Sequence, residues 1–192
     1  MTTGATQPGK LLVVSGPSGV GKSTIDREVI ARSNGQVVYS VSATTREPRE
    51  GETDGQDYHF VSHEAFEAMI ENNELLEHAD VFGNYYGTPA APAQQAIAQG
   101  KTVLLEIDVQ GGLDIAKRCP EATFVLIVPP SDKELETRLR GRGTEDEQTV
   151  QTRLSKAQWE LATARNSGAY PTEIVNDTLE TAIAELLSVA IN

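Results

Sequence analysis

The sequence predicts an α/β fold in which a parallel sheet is flanked by helices and carries an inserted lobe and a helical lid. Three observations predict it: a short apolar run leads through a Gly-rich loop into a helix, continuous Val/Leu/Ile runs alternate with helical stretches, and one polar, turn-rich segment interrupts that alternation. Lys10 to Val14 reads as a buried first strand and Ser23 to Arg32 as the first helix. Gln36 to Val41 is a second strand. Lys101 to Asp108 and Thr123 to Val128 are continuous enough in apolar residues to be buried on both faces, as parallel strands are. Ser131, Thr144 and Asp177 each stand three residues before a Glu, and the first two fit a capping box. Glu173 to Val175 is a short late strand, and the last helix runs from about Leu179 to Ile191.

The interruption spans 42–99. Ser42 to Gly55 is turn-rich, Tyr58 to Val61 a short strand, Glu64 to Glu71 a helix, and Asn84 to Pro92 contains Gly87, Pro89 and Pro92. The chain therefore divides into a flexible tail (1–9), a core (10–41 and 100–192) with a lid at about 139–157, and an inserted lobe (42–99).

Gly16-Pro17-Ser18-Gly19-Val20-Gly21-Lys22-Ser23 fits G-x-x-x-x-G-K-[ST] between a strand and a helix, which makes the core a P-loop core. Such a loop aims backbone N–H groups at phosphate oxygens, and the helix N-terminus adds the positive end of its dipole. Lys22 is placed for β- and γ-phosphates, and Ser23 for Mg²⁺, directly or through water. An ordinary Gly-rich turn would need none of the fixed positions.

Composition narrows the class. With 192 residues and 39% hydrophobic content the chain can bury a sizeable core, and a net charge of −12 argues against broad nucleic-acid binding. An acidic protein handling polyphosphate must concentrate its cations at the site. The lone Cys119 forms no internal disulfide, no apolar run approaches the ~20 residues of a membrane span, and Met1 to Gly9 lacks the features of a signal peptide. No membrane contact and a cytoplasmic location are expected. His59, His63 and His78 show no ligand-like clustering, so no structural metal and no tightly bound organic cofactor are expected.

Arginines fall in two groups. Arg46 and Arg49, held apart by Pro48, offer planar forks suited to a dianionic phosphate, with Tyr58 and Tyr86 as hydroxyl donors; ion pairing with Glu47 or Glu50 and simple aromatic packing are the alternatives. Arg138, Arg140, Arg142 and Arg153 surround Gly141 and Gly143, the pattern of a hinged lid over phosphates or of a solvated helix–turn–helix paired with Glu145, Asp146 and Glu147.

Seven ordered blocks resemble the guanylate kinase family over about Lys10 to Asn192: Gly16 to Thr24, Ser40 to Glu52, Asp54 to Tyr58, Glu74 to Ala79, Gly83 to Pro89, Glu106 to Gly111 and Arg140 to Thr144. The resemblance implies transfer of a phosphoryl group from ATP, with Mg²⁺, to GMP or dGMP. It places Arg46, Arg49, Tyr58 and Tyr86 at the GMP phosphate and Glu77, Ser42 and Thr88 at the guanine. Asp108 falls near the acceptor nucleotide and metal-bound waters. Gly16 to Thr24 and Asn176 fall on the ATP side, and Lys22, Arg138, Arg142 and Arg153 at the moving phosphoryl group. By residue type alone Glu77 is indistinguishable from Glu71 or Glu74. The resemblance also covers non-catalytic binding modules, which typically lose the loop lysine and lid arginines retained here; a P-loop kinase for another nucleotide is the other alternative. Gly112, where Ala is common, and Ala169 to Glu173 depart from the family pattern.

Overall fold

In the computed structural model, residues 9–81, 83–141 and 147–192 are described. The chain runs β1 (Leu11–Ser15), α1 (Lys22–Arg32), β2 (Val37–Tyr39), β3 (Ala43–Thr44), β4 (His59–Phe60), α2 (His63–Glu71), β5 (Leu75–Val81), β6 (Asn84–Pro89), α3 (Ala90–Ala98), β7 (Thr102–Glu106), α4 (Val109–Arg118), β8 (Thr123–Val128), α5 (Asp132–Arg140), α6 (Glu147–Ser167), β9 (Thr172–Val175) and α7 (Leu179–Ile191). Five strands form a parallel sheet in the order β2-β7-β1-β8-β9, and four form a smaller mixed sheet in the order β4-β3-β6-β5.

Strand alternation builds the core on both faces of the large sheet. Leu12, Val14, Leu104, Val125 and Ile127 meet Ile25 and Val29 of α1 and Ala182, Ile183 and Leu186 of α7. Their sequence neighbours Leu11, Val13, Val103, Leu105, Leu126 and Val128 meet Ala93 of α3, Ile115 of α4, and Leu161 and Ala164 of α6 on the other face. That two-sided burial is why these strands read as unbroken apolar runs. Each fully buried Leu, Val or Ile contributes about 1.5–3 kcal/mol.

The remaining clusters are small. Ala43, Phe66 and Leu75 centre the second sheet, and Leu135, Leu139 and Ala157 join α5 to α6. Helix α3, within 42–99, packs Ala93, Ala96 and Ile97 into the large-sheet core. Gly9 is tied to the same region, its N–H donating to the Ile97 carbonyl at 3.2 Å.

The expected strands and terminal helix are present with small boundary shifts. Ser131 caps α5, its Oγ accepting from the Glu134 N–H at 3.1 Å. Thr144 lies outside the described residues. Asp177 does not cap α7: Thr178 is the N-cap residue, its hydroxyl donating to Thr181 Oγ1 at 2.7 Å, while the Asp177 N–H donates back to Val175. Several features go beyond the sequence reading. Ala43–Thr44 forms β3, Asn84 to Pro89, noted for Gly87 and Pro89, is β6 of an antiparallel hairpin with β5, and Ala90–Ala98 and Val109–Arg118 form α3 and α4.

Candidate nucleotide site

The Gly-rich loop leaves β1 at Ser15 and enters α1 at Lys22. Gly21 precedes the helix at φ 100°, a left-handed conformation that residues with a Cβ rarely adopt, and a Cβ there would stand 2.5 Å from Asn176 Nδ2. That amide donates to the Val20 carbonyl at 2.7 Å and so fixes the loop from the β9–α7 turn. No side chain caps α1, which leaves its first N–H groups for an anion. The Lys22 ammonium donates to the carbonyls of Gly16 (2.6 Å) and Pro17 (3.2 Å). Burial lowers its pKa, against the opposing charges of Glu106, Glu160, Asp26 and Asp108.

The loop opens on a cavity of about 750 Å³ lined by Gly16, Ser18, Lys22 and Ser23, by Tyr58 and Glu52 from the inserted segment, and by Asp108 at the β7–α4 turn. The sequence reading anticipated these except Glu52. It did not single out Asp26 and Arg27 of α1, Glu106 at the end of β7, or Lys156 and Glu160 of α6, which also line the cavity. Asp26 is 1% exposed. Burial and the adjacent Glu106 carboxylate push its carboxyl well above the ordinary range. Glu106 Oε1 accepts from Ser23 Oγ at 2.9 Å.

Around the inserted segment, Arg46 makes a two-pronged ion pair with Glu52, its Nη1 and Nη2 donating at 3.0 and 2.9 Å. The Arg49 N–H donates to the same carboxylate at 2.7 Å, while the Arg49 side chain is exposed. The Arg46 guanidinium lies 5.4 Å from the Tyr58 ring centre, and the Tyr58 and Tyr86 rings meet edge-on at 5.9 Å. The ion-pair alternative is realised at Arg46, with Glu52 in place of Glu47 or Glu50.

Glu77 and Thr88 face each other across the β5–β6 hairpin, Thr88 Oγ1 donating to Glu77 Oε1 at 2.7 Å with both residues buried. Burial pushes the Glu77 carboxyl up to about 7, outweighing the hydrogen bond from Thr88, and the charge of Asp108 adds to the rise. This sets Glu77 apart from Glu71 and Glu74, which are exposed. Ser42 joins β3 to β4, its carbonyl accepting from the His59 N–H at 2.8 Å.

Asp108 has a structural task as well, for it caps α4, its Oδ1 accepting from the Gly111 N–H at 2.8 Å. Its carbonyl accepts from Ser15 Oγ at 3.4 Å, and Ser15 Oγ in turn accepts from the buried Tyr170 hydroxyl at 2.9 Å. Gly112 passes so close that a Cβ would lie 2.0 Å from that hydroxyl.

Of the lid arginines, Arg138 pairs with Glu134 on its own helix at 3.0 Å. Arg140 pairs with Glu136 and Glu147, so the helix–turn–helix pairing is present at that residue. Arg153 lies on the face of α6 that carries Lys156 and Glu160 to the cavity, and Arg142 lies outside the described residues.

A family model for guanylate kinase matches residues 8–191. The guanylate kinase of Carboxydothermus hydrogenoformans is 51% identical over 181 residues, covering 94% of this chain and 87% of the relative. That of Thermosynechococcus vestitus is 48% identical, covering 97% and 95%. Among solved structures, the crystal structure of guanylate kinase from Anaplasma phagocytophilum superposes with a TM-score of 0.71 at 33% identity, over 95% of this chain and 84% of that one.

Proposed function

Since this chain belongs to the guanylate kinase family, we propose that it transfers the γ-phosphoryl group of ATP to GMP and dGMP, giving ADP and GDP or dGDP. One observation carries the reading: an uncapped helix N-terminus with its loop lysine shares a single cavity with Tyr58, Glu52 and Asp108, which come from the elements that would hold an acceptor.

In this reading Gly16 to Thr24 wrap the ATP phosphates and Asn176 fixes the loop on the adenine side. Lys22 exchanges the loop carbonyls for phosphate oxygens, stronger acceptors for its charge. Arg46 and Arg49 grip the GMP phosphate with Tyr58 and Tyr86, and Ser42, Glu77 and Thr88 read the guanine beside Asp108. Ser23, hydrogen-bonded to Glu106, is placed to hold Mg²⁺ directly or through water, and the hard oxygen donors there suit that ion. Mg²⁺, when bound with ATP, offsets charge on the phosphates. Transfer in line then depends on positioning and charge rather than covalent help. A coupled assay of ADP formation with GMP, dGMP, AMP, UMP and no acceptor tests the function. GMP and dGMP should be turned over, AMP at least ~10²-fold more slowly, because a buried carboxylate left without guanine's two donors is costly. Equal turnover of AMP and GMP would overturn the base assignment.

The segment 42–99 acts as the acceptor lobe and about 139–157 as the lid, with Arg138, Arg142 and Arg153 brought to the phosphates on closure. The separate clusters around Phe66 and around Leu139 support this division, with α3 at the end of the lobe segment packed on the core. Distance labels on lobe and lid should report compaction when GMP and a non-hydrolysable ATP analogue bind together. An unchanged distance distribution would leave the lid arginines as surface ion-pair residues.

A further inference from the structure

Asp26 stands one helical turn beyond Lys22 on α1, and its side chain lines the phosphate end of the cavity. It is 1% exposed, yet neither of its carboxylate oxygens has a hydrogen-bond partner. Buried polar groups are almost always partnered, and a buried carboxylate more so, because it has lost water and gained nothing in exchange. The donors near it, the Lys22 ammonium and the Tyr39 hydroxyl, make no hydrogen bond to it. Lys22 donates to the carbonyls of Gly16 and Pro17. Glu106, whose carboxyl Asp26 faces, is itself an acceptor and takes the Ser23 hydroxyl at 2.9 Å. Two carboxylates facing each other need a proton or a cation between them.

We propose that Asp26, with Ser23 and Glu106, forms the seat of the divalent cation that accompanies the nucleotide, engaging it directly or through water. The inference rests on the reading of the loop as an Mg²⁺–ATP site and adds to it a residue outside the phosphate-loop pattern. Two carboxylates and a hydroxyl are the kind of partial shell that Mg²⁺ accepts, with phosphates and water completing it. Among the described residues no group of three or more His, Cys, Asp or Glu could hold a metal by itself. The seat should therefore bind weakly alone and tightly once the nucleotide phosphates are present.

Asp26→Asn separates the two ways of satisfying the carboxyl. The amide supplies an N–H to Glu106 as a protonated Asp26 would, but it cannot replace a charged ligand. Mn²⁺ binding, followed by electron paramagnetic resonance, should weaken at least ~10-fold in Asp26→Asn with a non-hydrolysable ATP analogue present, while the binding of metal-free analogue stays within about twofold. Unchanged Mn²⁺ affinity in the folded variant would overturn the proposal and leave Asp26 a proton carrier toward Glu106. The wild-type protein gives a reading that needs no variant: with ¹³C-carboxyl aspartate, the Asp26 resonance should broaden when Mn²⁺ and the analogue bind. A resonance that stays sharp overturns the proposal as well. Failure of wild-type GMP phosphorylation would count against the kinase reading and leave the Mn²⁺ result standing on its own.

Discussion

Lys22→Ala should lower phosphoryl transfer by at least ~10³-fold while GMP binding, measured by calorimetry, stays within about twofold. The lysine is the loop's ammonium, and four carboxylates surround it: Glu106, Glu160, Asp26 and Asp108. Without Lys22 that end of the cavity presents mainly negative charge to an incoming polyphosphate. Its partial desolvation strengthens its interaction with phosphate, since the same charge acts through less water. The residues proposed to hold GMP, Arg46, Tyr58 and Glu77, are held by Glu52, by one another's rings and by Thr88 rather than by Lys22, and should keep their geometry. Near-normal turnover in the variant would remove the loop from the donor site.

Glu77→Gln should cut kcat/KM for GMP by at least ~10²-fold and raise the relative use of AMP, because glutamine offers one acceptor where the carboxylate offers two. The same residue makes two pH dependences run in opposite directions. In the proposed role, guanine's N1–H and exocyclic amine require the ionised Glu77 carboxylate, and its pKa is pushed up to about 7, so GMP binding should weaken as pH falls through 7. Stability of the ligand-free protein should do the reverse. The folded pKa lies above the unfolded value, so the folded state holds the proton more tightly. The contribution of Glu77 is then complete below the unfolded pKa, 4.5, and lost as pH rises through about 7. A rise of that size corresponds to about 3 kcal/mol. Thermal melts at pH 5 and pH 8, compared between wild type and Glu77→Gln, should show the wild type losing the Glu77 share of stability. Identical pH profiles in the two proteins would contradict the raised pKa.

Sequence patterns made the large sheet legible because β1, β7 and β8 are buried on both faces and carry unbroken apolar runs. The β5–β6 hairpin was not, since Leu75 to Val81 becomes polar and exposed after Glu77 and the partner strand contains Gly87 and Pro89. Gly87 is there because a Cβ would come within 2.9 Å of Phe66 and of the Glu77 carbonyl, a packing reason no local pattern reveals. Helix α4 was hidden by Gly111 and Gly112 in its first turn, and its cap Asp108 was read as a nucleotide-side residue rather than as a cap. The loop residues and Tyr58 were legible because fixed spacing or family blocks name them. Asp26 and Glu160 were not, and Glu106, though inside a family block, was given no role: a charged residue on a helix or at a strand end reads as solvated, and only the approach of α1, β7 and α6 to one cavity makes these three neighbours.

The close approach of Gly112 to the Tyr170 hydroxyl ties together two positions 58 residues apart in the chain. An alanine at the first position would put a methyl carbon 2.0 Å from that oxygen. It can enter only if the ring withdraws or gives up its hydroxyl, and withdrawal would take the hydrogen bond from Ser15, the residue from which the phosphate loop departs. A missing methyl group on one helix thus makes room for an oxygen that the far end of the chain supplies.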